Sequence, residues 1–232
     1  RRVLFRSALC LTNETVFDLR ELPAHLLVLG GGPIGIEMAL AFRRLGARVT
    51  VVEAARLLGR EDPEAAALVI DRLRAEGVAF HEGVAATSAG PGARLELADG
   101  TVLEGSHLLV AAGRKPALER LDPAAGGVET DGDGVKVDDG LRSVSNRRVY
   151  AVGDAAGRGQ FTHLAGWHAG LVIRNALFRL PVRARAAHVP RATYADPELA
   201  QVGLTEAEAR ALHGAAVSVV RADLGGNDRA IA

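Results

Sequence analysis

Leu26-Leu27-Val28-Leu29-Gly30-Gly31-Gly32-Pro33-Ile34-Gly35 decides the fold. A short apolar run with the character of a buried strand ends in glycines, and a helical stripe starts at once, apolar at Ile34, Met38, Ala41, Phe42 and Leu45 and closed by Gly46. In that setting Gly30-x-Gly32-x-x-Gly35 reads as a dinucleotide-binding turn. Gly30 permits the tight turn, Gly32 lets a pyrophosphate approach the backbone, and Gly35 allows the helix to pack closely on the strand. The helix N-terminus adds unpaired N–H groups and about half a positive charge, which suits a diphosphate.

The next strand signal covers 49–52 and runs into Glu53. A carboxylate at that point can accept both ribose hydroxyls of an adenosine. A 2′-phosphate there would meet it at a cost of about 4 kcal/mol per unit charge pair at roughly 4 Å and an effective dielectric near 20. The pattern therefore favours NADH over NADPH. Arg56 and Arg60 follow closely, either as solvated arginines flanking a helix or as a partial offset to that repulsion.

Further out, 63–76 reads as a helix with Pro63 in its first turn and Gly77 at its end. Strands are expected at 94–97 and 107–111, and residues 84–104 read as short antiparallel strands turned by Gly90-Pro91-Gly92 and Asp99-Gly100. Strand and helix alternate as in a βαβ unit with a parallel sheet. A Gly- and Asp-rich stretch over 126–140 marks a loop and a domain crossing. A strand at 149–152 and a helix at 164–178 follow. Pro181 and Pro190 bracket a linker, and 193–232 reads strand, turn, strand, helix, strand, the last over 216–222.

Composition narrows the partners. The 232 residues carry 28 basic and 28 acidic side chains, so the basic surplus needed for nucleic acid is missing. Lys115 and Lys136 are the only lysines, a bias fitting a GC-rich coding genome. A single cysteine, Cys10, excludes an internal disulfide and any multi-Cys metal or iron-sulfur site in this chain. No apolar run approaches the roughly 18 residues of a membrane span.

A second chemical signal is Val149-Tyr150-Ala151-Val152-Gly153-Asp154, followed by Thr162-His163-Leu164-Ala165 at a helix start. An Asp at a strand's carboxyl end can bind a polyol chain, and a helix N-terminus can stabilise negative charge on a reduced ring. On the residues alone, a turn Asp and an N-capping Thr explain the pattern equally well.

With these motifs in order, the chain resembles the FAD-dependent pyridine nucleotide-disulfide oxidoreductases, especially their dihydrolipoamide dehydrogenase and mercuric reductase-like branch. Thr12-Asn13-Glu14-Thr15 with Leu22-Pro23 is similar to the crossing from the first FAD segment into the NAD domain. Gly30 to Glu37 and Glu53 match the NAD fingerprint, and Ala111-Ala112-Gly113-Arg114-Lys115-Pro116 matches the return to the FAD domain. Tyr150 to Asp154 is similar to the second FAD motif. Tyr194-Ala195-Asp196-Pro197-Glu198-Leu199-Ala200-Gln201-Val202-Gly203-Leu204-Thr205-Glu206 looks like the start of the dimerisation domain, and is the most specific of these pieces.

The resemblance implies an α/β fold: a Rossmann-like NAD-binding domain (24–115) inserted in a partial FAD-binding domain (8–23 and 116–186), followed by the start of an α+β dimerisation domain (187–232). Residues 1–7 resemble a translated sequencing adapter and are set aside, and the chain is expected to be a fragment cut at both ends. NAD would be held by Gly30, Gly31, Gly32, Pro33, Ile34, Gly35, Glu37, Glu53, Ala86 and Gly113, with Glu37 in the first turn of its helix facing nicotinamide and flavin. FAD would be held by Asp154, Phe161, Thr162, His163 and Leu164, where backbone N–H groups matter more than the His163 ring.

The departures limit the chemistry. The family's redox Cys-x4-Cys and its C-terminal catalytic His-Glu are absent, so no catalytic residue and no metal ligand is expected within this chain. Cys10 reads as an apolar filler and His213 as a helix-end residue. The implied parent passes hydride from NADH to FAD and on to a disulfide or metal-ion acceptor, as a cytoplasmic homodimer. An NADH oxidase or quinone reductase on the same scaffold, or a non-catalytic nucleotide-binding module, are the alternatives. The expressed chain is expected to bind NADH weakly and to purify colourless.

Overall fold

The computed structural model describes residues 10–185 and 189–227. The adapter-like residues 1–7 and the expected boundary at 186–187 lie outside them. Among the described residues, those up to Val202 form one compact unit and those from Gly203 onward a second.

In the first unit, β1 (Cys10–Leu11), β2 (His25–Leu29), β3 (Arg48–Glu53), β4 (Ala79–Glu82) and β8 (His107–Val110) build a five-stranded sheet in the order β1-β8-β2-β3-β4, with every pairing parallel. The near-continuous apolar character of β2 has a direct cause, since both faces of the sheet are covered. Leu26 and Val28 pack with Ile36, Leu40, Val69, Ile70 and Leu73 from α1 (Pro33–Arg44) and α2 (Pro63–Ala75). Leu27 points the other way, into a second core with Leu95 and Leu97. Those two leucines belong to an antiparallel meander of β5 (Ala86–Gly90), β6 (Arg94–Leu97) and β7 (Val102–Glu104), as the two Gly-containing turns predict. Burial of each fully covered leucine contributes about 1.5–3 kcal/mol.

Helix ends follow their local chemistry. Asp62 caps α2 by accepting from Glu64 N and Ala65 N, and Gly77 leaves the helix in the left-handed region at φ 92°.

A third core of Leu141, Ala151, Ala156, Leu171 and Ala184 lies under α3 (Thr162–Phe178). Here one expectation fails. Residues 149–152 form no regular strand but carry a single bridge, Arg142 to Tyr150, with Ser143 N donating to Val149 O and Ala151 N to Leu141 O. Alternating apolar residues make a strand only where a neighbour offers a ladder, and among the described residues only this short stretch does. The first unit closes with a hairpin of β9 (Pro190–Thr193) and β10 (Leu199–Val202).

The second unit contains α4 (Glu206–His213), opened by a reciprocal capping box between Thr205 and Glu208. The strand expected over 216–222 is absent. A 3-10 turn, Gly214–Ala216, leads into backbone with no ladder, and Val220 is exposed. Among the described residues of this unit no extended segment pairs with it. His213 ends α4 as expected, where a basic residue suits the dipole.

Candidate nucleotide and flavin sites

The glycine loop sits where strand order reverses. The chain runs from β2 outward through β3 and β4, then returns to place β8 on the other side of β2. Ligands of open parallel sheets occupy the crevice at such a switch point, beyond the strands' carboxyl ends. Gly30 turns at φ 114° and donates its N–H to Val52 O at 2.8 Å, and a Cβ there would come within 2.6 Å of Ala111 O. A Cβ on Gly35 would stand 1.9 Å from Gly30 O, which is how close helix and strand have come. Gly32 differs: nothing lies within 4 Å of where its Cβ would be. That space opens beside the first turn of α1, where Pro33 is the first helical residue, Ile34 follows, and no side chain caps the helix.

Glu53 faces this turn. Its Oε2 accepts Gly31 N–H at 2.7 Å and its Oε1 accepts Ala55 N–H at 2.8 Å. Each oxygen retains a further lone pair for a hydroxyl. Val84 N donates to Glu53 O, bringing the strand that bears Ala86 alongside. Gly113, at φ 87° with open space around it, follows Ala111, whose N–H reaches Leu29 O. Arg56 is not free in solvent: its guanidinium donates to the carbonyls of Gly59 and Glu61 at 3.0 and 2.9 Å.

Glu37 corrects the sequence reading. α1 starts at Pro33 and its first turn holds no acidic residue, so Glu37 stands a turn further on, beyond the reach of a simple N-terminal dipole argument. Its Oε1 accepts the backbone N–H of Tyr194, just past β9, at 3.0 Å.

On the other side, Asp154 lies in a 3-10 turn, Gly153–Ala156. Gly153 has φ 58°, and a Cβ on it would meet the Ala165 Cβ of α3 at 2.7 Å. Thr162 is the first residue of α3 and not its cap, since the N-cap is Phe161 and no side chain closes this end. The His163 Nε2–H donates to Pro190 O at 2.8 Å and its ring stacks on Phe161 at 5.3 Å, while Leu164 is buried. Arg114 donates to Gln160 O, joining the Gly113 turn to this segment.

Sequence reasoning missed His168. It is 1% exposed, and its Nδ1 accepts the Gly153 N–H at 3.1 Å. Burial, and then the charge of Arg158, push its pKa below the ordinary value, so the ring stays neutral and able to accept. The signal was present, because Leu164, His168 and Leu171 form one buried stripe at helical spacing. Cys10 behaves as expected: half-buried against the second core, with its thiol pKa raised by burial. Among the described residues no His/Cys/Asp/Glu group could hold a metal, and no helix is long and apolar enough to cross a membrane.

Comparison with known proteins agrees with this layout. The family model for pyridine nucleotide-disulphide oxidoreductases matches residues 7–169, and the model for that family's dimerisation domain matches 189–232. A mercuric reductase of Streptomyces lividans is 38% identical over 211 residues, covering 85% of this chain and 43% of the relative. A dihydrolipoyl dehydrogenase of Bacillus subtilis is 35% identical, covering 88% of the chain and 45% of the relative. Among solved structures, the HOCl-induced flavoprotein disulfide reductase RclA of Escherichia coli superposes with a TM-score of 0.84 at 30% identity, covering 98% of this chain and 53% of that one. The chain thus spans about half the length of the relatives it matches.

Proposed function

Because the chain belongs to the pyridine nucleotide-disulphide oxidoreductase family, whose members use a flavin and a pyridine nucleotide, we propose that it supplies the nucleotide half of an NADH-dependent, FAD-containing reductase. When bound, the cofactors would carry hydride from NADH to FAD and electrons onward to a disulfide or metal-ion acceptor. The observation that carries this reading is the Glu53 carboxylate, fixed by two backbone amides beside the open space at Gly32.

The residues divide the work. The uncapped first turn of α1, with Gly30 to Gly35, would take the pyrophosphate. Glu53 would accept the adenosine ribose hydroxyls. Charge repulsion there, with Arg56 folded onto its own loop, favours NADH over NADPH. Ala86 and Gly113 would line the two flanks, and Glu37 the nicotinamide end. Asp154 would bind the ribityl side of FAD, and the uncapped amides over Phe161, Thr162, His163 and Leu164 would stabilise negative charge on the reduced ring. His168 would hold the Gly153 turn, and so Asp154, in place. Residues 189–232 would contribute to a homodimer, in a cytoplasmic enzyme. On this reading the NAD-binding domain runs over 24–115, the FAD-binding segments over 8–23 and 116–186, and the start of the dimerisation domain over 187–232.

Anaerobic addition of NADH to the full-length holoenzyme tests the proposal. Bleaching of the flavin, slowed by Glu53→Ala, is expected; a flavin that NADH leaves oxidised would overturn it.

A further inference from the structure

The loop that follows Glu53 is held from outside the Rossmann unit. Its inner end is tied to the glycine turn: Leu58, at φ 47°, donates its N–H to Gly31 O at 2.9 Å, and the buried Leu57 packs so closely that a Cβ on Gly31 would come within 2.4 Å of it. Its middle is braced by Arg56 on the Gly59 and Glu61 carbonyls. Its outer end meets the β9–β10 hairpin. Arg191 Nη2 donates to Arg60 O at 3.3 Å, Arg191 Nε lies 3.7 Å from Glu61 Oε2, and Asp62 N donates to Gln201 Oε1 at 3.2 Å.

Glu61 is only 5% exposed, and its Oε2 has no hydrogen-bond partner among the described residues. A buried carboxylate in that condition is held by the nearby positive charge. Remove the charge and the carboxylate must either take up a proton or reach water, and for Glu61 reaching water means opening the loop.

We infer that Arg191 is a positioning residue for the adenosine end of the nucleotide site, acting through Glu61 and the 56–62 loop on Gly31 and Glu53. The inference rests on the NADH reading above. The same hairpin reaches the opposite end of the site through the Tyr194 amide on Glu37. A hairpin whose sequence falls within the stretch matched by the dimerisation model thus sets the shape of the nucleotide turn.

The test is equilibrium titration of this chain with NADH, alongside thermal melting as a check on folding. Arg191→Ala is expected to weaken NADH by about fivefold or more, the lower range of a coupling between two sites. Arg191→Lys keeps the charge and should retain most of the affinity. The double variant Arg191→Ala with Glu61→Gln removes both the charge and its buried partner, so affinity should recover toward the unmodified chain. Arg191→Gln, which keeps part of the stem and an uncharged donor, carries the same expectation as Arg191→Ala and decides the matter if the alanine variant does not fold. A charge-removed variant that binds within about twofold of the unmodified chain overturns the inference, as does a double variant no better than the single one. Absence of NADH binding by the unmodified chain defeats the nucleotide reading itself.

Discussion

Glu53 accepts the Gly31 N–H at 2.7 Å, across the turn between β2 and α1. The bond does two things. It satisfies a buried amide that the turn would otherwise orphan, and it holds a carboxylate still at the lip of the crevice proposed for the nucleotide.

Replacing Glu53 separates these roles. Glu53→Gln keeps an acceptor for only one of the two amides, Gly31 or Ala55, and loses the charge, so it should narrow the preference for NADH over NADPH at a stability cost of about 1 kcal/mol. Glu53→Ala also orphans the amide and should weaken NADH by about 1.5–3 kcal/mol, tenfold or more. Paired titrations with both nucleotides check this, and an unchanged NADH to NADPH ratio in both variants would count against the assignment.

Gly35→Ala should destabilise the fold by about 1–3 kcal/mol, because its new Cβ would stand 1.9 Å from the Gly30 carbonyl, a backbone atom that cannot swing aside. A shift in denaturant midpoint at constant slope measures it. A midpoint equal to that of the unmodified chain would mean the helix does not pack on the turn as described.

His168 predicts a pH dependence. Its folded pKa lies below the ordinary 6.5, so below that pH the unfolded chain binds a proton that the folded ring refuses. The stabilisation is complete above about 6.5 and declines as the pH falls from there toward the folded pKa. His168→Asn keeps an acceptor for Gly153 N and cannot titrate. Its thermal midpoint should fall less than that of the unmodified chain between about pH 7 and pH 5. Parallel curves would remove His168 from the account.

Acid should act on a different joint. Arg44 binds Glu76 and Asp196 at 2.6 Å each, linking α1, the end of α2 and the β9–β10 hairpin. The hydrogen bonds from Arg44, chiefly, hold Glu76 down at about 2 from an ordinary 4.5. A depressed carboxylate stabilises above the unfolded pKa and loses that contribution as pH falls through the folded one. The unmodified chain should therefore lose stability between pH 4.5 and about 2 more steeply than Glu76→Gln, and the difference should shrink in high salt.

The sequence was legible where local chemistry decides the structure. Gly30, Gly32 and Gly35 announced the turn because their conformations and close approaches admit no side chain or need open space, and Gly90 to Gly92 announced the meander. It was less legible where the outcome depends on a neighbour distant in the chain. Residues 149–152 and 216–222 have the alternation of strands, yet no described partner offers either a full ladder. His168 has nothing in its local sequence to set it apart, and only the packing of α3 brings its ring to the Gly153 N–H. Arg191 and Glu61 could not be paired by inspection, since 130 residues separate them and only the hairpin's return brings them together.

Isothermal titration of this chain with NADH and NADPH in parallel tests the central claim most directly. NADH should bind, NADPH more weakly, and Glu53→Gln should narrow the gap between them. Equal or tighter binding of NADPH to the unmodified chain, or heat from neither nucleotide, would contradict it.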